Sequence, residues 1–207
     1  RGIFCEEFLE YLKNFEFKCN VWAMPEGTPV FPKEPMMVVE GPAIQAQMLE
    51  TALLILMNHQ TLIATKANRI VRAAQGRPVM EFGSRRAQNV DAAVLGARAA
   101  YIGGVSATAC AMTDRDYGVP AVGTMAHSWI QLFDTELDAF MAYAREYPDS
   151  CTLLVDTYNT LKSGIPNAIK TFDEVLKPLG KRPKGIRIDS GDIAYLSRKI
   201  REMLDAA

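Results

Sequence analysis

The segment Thr152–Asp189, "TLLVDTYNTLKSGIPNAIKTFDEVLKPLGKRPKGIRID", decides the fold class of this chain. Short apolar runs typical of β-strands open and close it, at 152–156 and 185–189, and a helical pattern lies between them at 165–177. Strands that alternate with a helix predict a parallel βαβ unit, because parallel neighbours need a crossover connection. The continuous apolar run "TLLVD" is typical of a strand whose sheet is covered on both faces.

The same alternation extends through the chain from residue 78 onward. Further strand-like segments are "PVMEF" (78–82), "AAYIGG" (99–104) and "VPAVG" (119–123), and helix-like stretches lie at 86–98, 134–147 and 192–205. Ahead of them, a long helical run extends from Pro42 to about Gln75. Residues 1–42 contain a short helix and two strand-like stretches around a Pro- and Gly-rich loop, which predicts a small β-rich segment. The fold class is therefore predicted to be α/β.

Polar residues concentrate where the predicted strands end. They are Ser84, Arg85, Arg86, Ser106, Thr124, His127, Asp156, Thr157, Arg187, Asp189, Ser190 and Asp192. In an α/β barrel these ends converge on one mouth, where such folds keep their chemistry. An open doubly wound sheet would instead spread them into a crevice along one edge. We favour the barrel, and the open sheet is the alternative.

The composition predicts that neither nucleic acid nor a membrane is a partner of this chain. The net charge is −1 and charged residues make up 23% of the chain, so nothing attracts nucleic acid or an anionic membrane over the whole surface. The longest apolar run, "ALLILM" at 52–57, is too short to span a bilayer. The four cysteines have no C-x-x-C spacing, so neither a zinc site nor a disulfide framework is indicated. These features predict a cytoplasmic protein with reduced thiols.

His127 lies among small residues in "VGTMAHSWIQ" (122–131), just after a predicted strand. A lone histidine is usually a hydrogen-bonded structural group, but imidazole also titrates near neutrality and can catalyse. The other histidine, His59, lies in the long helical run and is predicted to be structural. Arg85 and Arg86 follow a Gly-Ser turn, where guanidinium groups capture anions or are simply solvated.

The segment "RIDSGD" (187–192) is more specific. Ser190 or Asp192 can cap the helix that follows, because Ser and Asp are favoured at that position. Capping does not explain Asp189, which ends an apolar strand with Arg187 two residues earlier on the same face. A carboxylate there can accept hydrogen bonds from sugar hydroxyls or magnesium-bound water, and the arginine can hold an anion. Gly103–Gly104 either lets the backbone approach a ligand or makes a turn.

Several segments, taken in order, closely resemble the nicotinate phosphoribosyltransferase family. They are "PEGTPVFPKEP" (25–35), "NHQTLIATKA" (58–67), "EFGSRRAQ" (81–88), "YIGGVSAT" (101–108), "YGVPAVGTMAHSW" (117–129), "LLVDTYNTLKSGIPNAIK" (153–170) and "GIRIDSGD" (185–192). The resemblance implies an irregular (β/α) barrel with a split N-terminal domain. Residues 1–42 would then be part of a small α+β N-terminal domain, and residues 43–207 an incomplete barrel of about five βα units.

The resemblance also implies a reaction and its partners. The family joins nicotinate to phosphoribosyl pyrophosphate, with ATP as co-substrate and Mg²⁺ present, and forms nicotinate mononucleotide for NAD biosynthesis. The resemblance further implies that the intact protein is a homodimer. A closed barrel has eight units, so the chain is expected either to be a fragment of a longer protein or to be completed by partner segments. The 5′-phosphate site is expected to lie outside the sequence, which puts the activity of the isolated chain in doubt.

Roles follow from the resemblance residue by residue. His127 would be phosphorylated by ATP, and Asp156 and Asp189 would serve ribose hydroxyls and magnesium-bound pyrophosphate. Substrate-binding roles would fall to Phe82 against the pyridine ring, Arg187 and Ser106 at the nicotinate carboxylate, Arg85 at a phosphate or that carboxylate, and Thr124, Ser128 and Ser190. Two alternatives remain open: a nicotinamide-specific enzyme, disfavoured because Ser106 is not acidic, and a non-catalytic domain that binds a ligand or a fuller subunit.

Overall fold

The structure, a computed structural model, describes residues 2–207. It consists of two compact units, one ending at Val122 and the other spanning Gly123–Ala207. Each unit combines helices with a pair of parallel strands, which confirms the α/β class. No helix within residues 2–207 is both long and apolar enough to cross a bilayer.

The first unit begins with a helix and two strands, as the sequence predicts, and the two strands pair antiparallel. Its elements are α1 (Glu6–Lys13), β1 (Asn20–Ala23), β2 (Met37–Glu40), α2 (Ala43–Ala73), β3 (Met80–Glu81), a 3₁₀ turn (Ser84–Arg86), α3 (Val90–Ile102), β4 (Ala107–Thr108) and α4 (Ala111–Tyr117). β1 pairs with β2 antiparallel, and β3 pairs with β4 parallel. α2 starts directly after Pro42, whose fixed φ suits a helix N-terminus.

The second unit contains the predicted βαβ segment. Its elements are α5 (His127–Ile130), α6 (Glu136–Glu146), β5 (Thr152–Leu154), a π-helical turn (Thr160–Gly164), α7 (Ile165–Thr171), a second π-helical turn (Phe172–Leu176), a 3₁₀ turn (Lys177–Leu179), β6 (Gly185–Arg187) and α8 (Ile193–Asp205). β5 and β6 are parallel, with Leu154 opposite Arg187. Leu153, Leu154 and Val155 are consecutive and all at most 1% exposed, so both faces of β5 are covered.

The predicted strand at 99–104 is wrong. Residues 99–102 are the last turn of α3. Asn89 caps the start of this helix, and its side chain accepts a hydrogen bond from the Ala92 amide. The run is rich in alanine, the strongest helix former, and tertiary packing explains why the helix extends this far. A Cβ added to Gly103 would lie 2.5 Å from the Ala64 carbonyl oxygen, so only glycine lets α3 end this close to α2.

The chain then turns through Gly104, whose φ is +107°, and the strand β4 follows this turn. The turn interpretation of Gly103–Gly104 is therefore the one that the packing explains. The predicted strand at 119–123 is reduced to one parallel bridge, between Ala121 and Thr108.

Gly164 fixes the distance between the first π-helical turn and β5. A Cβ at this position would lie 1.9 Å from the Val155 carbonyl oxygen, well inside van der Waals contact. Gly164 is buried, so the π-helical turn could move away from β5 only by opening the core. The absence of a side chain at Gly164 therefore allows the close packing of this turn on the backbone just before Asp156.

We expect Gly164→Ala to lower the free energy of unfolding of the intact protein by about 1–3 kcal/mol, the usual cost of overpacking a core. Urea denaturation measures it. Gly185→Ala is the matched control, because a Cβ at Gly185 meets nothing within 4 Å. Equal effects of the two substitutions would show that the Val155 contact does not limit this position.

Candidate active site

Two strand ends build the site in the second unit. β5 and β6 are parallel neighbours, and the Val155 amide continues their pairing by donating to the Arg187 carbonyl at 3.2 Å. Asp156 follows β5 immediately after this bond, and Asp189 follows β6. The sequence prediction that these two carboxylates lie at the same edge is therefore confirmed by the register.

Asp156 is the buried member of the pair, with a side chain only 2% exposed. Its Oδ2 accepts hydrogen bonds from the Asp189 amide at 2.9 Å and from the Ser190 hydroxyl at 2.6 Å. Its Oδ1 is buried and has no hydrogen-bond partner. Buried polar atoms are nearly always paired, so an unpaired carboxylate oxygen indicates a place for a donor or a cation.

His127 stands next to that oxygen. Its Nε2 lies 4.0 Å from Asp156 Oδ1 and 3.5 Å from Asp189 Oδ2, and its Nδ1 lies 3.1 Å from the Thr157 hydroxyl oxygen. Ionised carboxylates only accept hydrogen bonds, so these neighbours assign the proton to Nε2 and leave the lone pair on Nδ1. The side chain is 39% exposed, which leaves the ring accessible to a ligand.

Arg187 holds the second carboxylate. Its Nη2 donates to Asp189 Oδ1 at 2.6 Å and its Nη1 donates to the Thr124 hydroxyl at 2.6 Å. The hydrogen bond from Arg187 lowers the pKa of Asp189, against a smaller opposing effect of partial burial, and His127 adds to the lowering. Asp189 is therefore held as a carboxylate beside the imidazole.

The remaining polar residues of the second unit either form structural hydrogen bonds or lie exposed at the surface. Asp192, not Ser190, caps α8, because its carboxylate accepts from the Tyr195 amide. Ser190 instead bonds Asp156, as described above. Ser128 is exposed in the first turn of α5.

The first unit carries the other predicted residues. Phe82 is 38% exposed directly after β3, and Arg85 is exposed in the 3₁₀ turn that follows. The placement of Ser106 after a strand is wrong: it lies directly before β4, and its hydroxyl donates to the Val79 carbonyl at 3.0 Å. The reason is that α3 occupies the residues predicted as that strand. His59 is half-buried within α2, with its Nε2 3.2 Å from the Ala92 carbonyl, in agreement with a structural role.

Sequence reasoning missed Glu81 and gave Thr157, which it placed at a strand end, no role. In the first unit, one oxygen of Glu81 accepts from the fully buried Thr108 hydroxyl at 2.7 Å, and the other accepts from the Gly83 amide. These bonds fix the turn that carries Phe82 and Arg85. In the second unit, Thr157 contacts His127. Glu81 precedes Phe82 directly, and its position next to a predicted site residue is the signal that would have found it.

Comparison with known proteins identifies the family of this chain. A sequence model described as the nicotinate phosphoribosyltransferase N-terminal domain matches residues 1–58, and one described as the nicotinate phosphoribosyltransferase family matches residues 78–205. The chain belongs to the nicotinate phosphoribosyltransferase family.

Relatives within the family are similar along the whole chain. A nicotinate phosphoribosyltransferase of Mycobacterium tuberculosis is 47% identical over 208 residues, and that of Bacillus subtilis is 50% identical over 204 residues. These matches cover 100% and 98% of this chain but 44% and 41% of the relatives. The chain thus spans less than half the length of these proteins.

Solved structures give the same result. The crystal structure of human nicotinic acid phosphoribosyltransferase matches with a TM-score of 0.86 at 30% identity, covering 97% of this chain and 49% of that one. A nicotinate-nucleotide pyrophosphorylase from Pyrococcus furiosus matches with a TM-score of 0.79 at 31% identity, covering 91% and 48%.

In this member of the nicotinate phosphoribosyltransferase family, we expect Arg187→Met to raise the pKa of Asp189 towards its ordinary value of 3.8. A lowered folded-state pKa stabilises the fold above the unfolded-state value, and that contribution is lost as pH falls through the folded-state pKa. The variant should therefore lose less stability than the parent on the acid side of 3.8. Carboxyl ¹³C NMR titration measures the pKa.

Arg201→Met is the matched control, since it breaks an exposed pair with Asp205 on α8. An unchanged Asp189 titration in the Arg187 variant would contradict the assignment of the shift to that guanidinium.

Proposed function

We propose that the protein carrying this chain joins nicotinate to phosphoribosyl pyrophosphate, coupled to ATP hydrolysis, and so forms nicotinate mononucleotide for NAD biosynthesis. The relatives named above support the reaction class. Within the chain, the supporting observation is the contact of His127 with two carboxylates at neighbouring strand ends, one of which has a buried unpaired oxygen.

His127 is proposed as the group that ATP phosphorylates. The carboxylates of Asp156 and Asp189 keep the proton on Nε2 and stabilise the positive charge that the ring gains when Nδ1 attacks phosphorus. The bond from the γ-phosphorus to the ADP oxygen breaks as the bond from phosphorus to nitrogen forms. Water later cleaves the phosphorus–nitrogen bond and releases phosphate, so the net reaction consumes one ATP.

Asp156 and Asp189 are also proposed to serve the phosphoribosyl group. Displacement of pyrophosphate from the anomeric carbon develops positive charge on the sugar, which nearby carboxylates stabilise while their oxygens accept from ribose hydroxyls. Within residues 2–207, no group of three or more His, Cys, Asp or Glu side chains is arranged so that it could hold a metal ion. Two carboxylates nonetheless fit Mg²⁺ that arrives on the pyrophosphate, because Mg²⁺ keeps most of its water and needs few protein ligands. When bound, Mg²⁺ would screen the charge of the leaving group.

The remaining roles concern nicotinate and phosphate. We propose that Phe82 stacks on the pyridine ring and that Arg187, engaged here by Asp189 and Thr124, pairs with the carboxylate. Ser106 is proposed as the residue that admits this carboxylate without repelling it. Arg85 is proposed to bind phosphate or the same carboxylate, with Thr124, Ser128 and Ser190 supplying hydroxyl groups.

The larger architecture is part of the proposal. The parallel strand pairs and the polar residues after β5 and β6 support an irregular (β/α) barrel, with residues 1–42 in a split α+β N-terminal domain and residues 43–207 in the barrel. The intact protein is proposed to be a homodimer, as the resemblance implies.

The test is a product assay with the intact protein, nicotinate, phosphoribosyl pyrophosphate, Mg²⁺ and ATP. We expect nicotinate mononucleotide from the parent, and we expect His127→Ala to lose the stimulation by ATP because no other group accepts the phosphoryl. His59→Gln is the matched control and should retain the stimulation. Product from nicotinamide or quinolinate but not from nicotinate would change the substrate, and no product from any of the three would overturn the proposal.

Ser106→Asp tests the choice of base. A carboxylate there repels nicotinate but can accept a hydrogen bond from an amide. We therefore expect kcat/KM for nicotinate to fall by at least about tenfold, because like-charge contacts cost several kcal/mol and about 1.4 kcal/mol corresponds to tenfold. Ser106→Asn, of the same size and neutral, is the matched control and should retain more activity with nicotinate. Equal losses in both variants would assign the effect to size and not to charge.

A further inference from the structure

Glu81 carries a carboxylate whose two oxygens bind different partners. Its Oε2 accepts a hydrogen bond from the Thr108 hydroxyl at 2.7 Å, and its Oε1 accepts one from the Gly83 amide. Thr108 is fully buried and lies directly opposite Glu81 in the register of β3 and β4. The carboxylate therefore links this strand pair to the turn that follows β3.

The Cys110 amide settles the direction of the bond between Thr108 and Glu81. This amide nitrogen lies 3.0 Å from the Thr108 hydroxyl oxygen and can only donate, so the oxygen accepts there. The hydroxyl hydrogen is directed to Glu81, because an ionised carboxylate can only accept. Both partners of the carboxylate are thus donors. A glutamine at this position could not satisfy both, since its amide has one acceptor oxygen.

The bond from the Gly83 amide to Glu81 spans the site residue Phe82. Because it joins the side chain of one neighbour to the backbone of the other, it constrains the backbone from which the Phe82 ring projects. A Cβ on Gly83 would lie 2.9 Å from Glu81 Oε1, so the carboxylate could not keep this position beside any other residue. The turn continues with a bond from the Arg86 amide to the Gly83 carbonyl at 2.8 Å, and Arg85 lies within it.

We propose that Glu81 is a positioning residue for the pyridine base, because its carboxylate sets the backbone at Phe82 and thereby the affinity for nicotinate. This inference rests on the proposed function, in which Phe82 stacks on the ring. Stacked rings need a defined distance and offset, so the placement of Phe82 before the base arrives affects the binding energy. A turn that is already ordered also loses less conformational entropy on binding. Glu81 acts through the turn and is not assigned a contact with the substrate.

The experiment compares Glu81→Gln, Thr108→Val and Thr108→Ser in the intact protein. Glutamine keeps the size of Glu81 but loses one of its two acceptors, valine removes the Thr108 hydroxyl, and serine keeps it. Thr171→Val is the matched control, because this threonine is also fully buried and its hydroxyl donates to the Asn167 carbonyl, at 2.8 Å. Product formation at varied nicotinate gives KM and kcat, and hydrogen exchange in a peptide covering residues 80–88 reports the order of the turn.

We expect Glu81→Gln and Thr108→Val to raise KM for nicotinate about three- to tenfold, the size of one aromatic contact. Their kcat should stay within about twofold of the parent, because the chemical step is not touched. A merely structural loss would instead reduce the amount of folded enzyme, and so apparent kcat, without changing KM. Hydrogen exchange in the peptide should be faster in the same two variants. Thr108→Ser and Thr171→Val should stay near the parent in both measurements.

Support requires both a higher KM for nicotinate and faster exchange in Glu81→Gln, and either change alone overturns the inference. An equal rise of KM in Thr108→Ser and Thr108→Val also overturns it, since that loss would reflect packing and not the hydroxyl. Should Glu81→Gln fail to fold, the two Thr108 variants decide by the same criteria. If the parent forms no product, the proposed function fails, and equilibrium binding of radiolabelled nicotinate replaces KM. Weaker binding in Glu81→Gln than in the parent then supports the inference, and equal or absent binding overturns it.

Discussion

The buried carboxylate of Asp156 joins the two strand ends on which the rest of the candidate site depends. Through Oδ2 it binds the Asp189 amide and the Ser190 hydroxyl, and so ties the loop after β6 to the end of β5. Parallel strands have no tight turn between them, and beyond the last backbone bond, from the Val155 amide to the Arg187 carbonyl, the Asp156 side chain continues the link between the two strand ends. The link places Asp189, Arg187 and His127 in one network of contacts.

Charge in this network is distributed asymmetrically. Arg187 pairs with Asp189 and lowers the pKa of that carboxyl group, whereas Oδ1 of Asp156 is buried and has no hydrogen-bond partner within the described structure. Removing a charged oxygen from water without a partner is unfavourable. The site therefore favours a ligand that brings a hydrogen-bond donor or a cation to that oxygen.

Some parts of the structure could be predicted because they depend on short-range patterns. The apolar runs of β5 and β6, with a helical stretch between them, specify a parallel pair, and their register then brings Asp156 and Asp189 together. The segment at 99–104 shows the limit of this reasoning. Its alanine-rich sequence is compatible with both a strand and a helix, and the packing of α3 on α2 at Gly103 decides for the helix. Ser106 consequently lies before a strand and not after one.

The sequence by itself determined the α/β class, the residues that follow the strands and the resemblance to one enzyme family, because period, propensity and residue order are local properties of the chain. Only the tertiary structure decided which atoms meet. Thr157 binds a histidine 30 positions earlier, and Asp156 binds an amide 33 positions later. Such contacts depend on how helices and strands pack, since the same residues at the same spacing in a differently packed chain would point elsewhere.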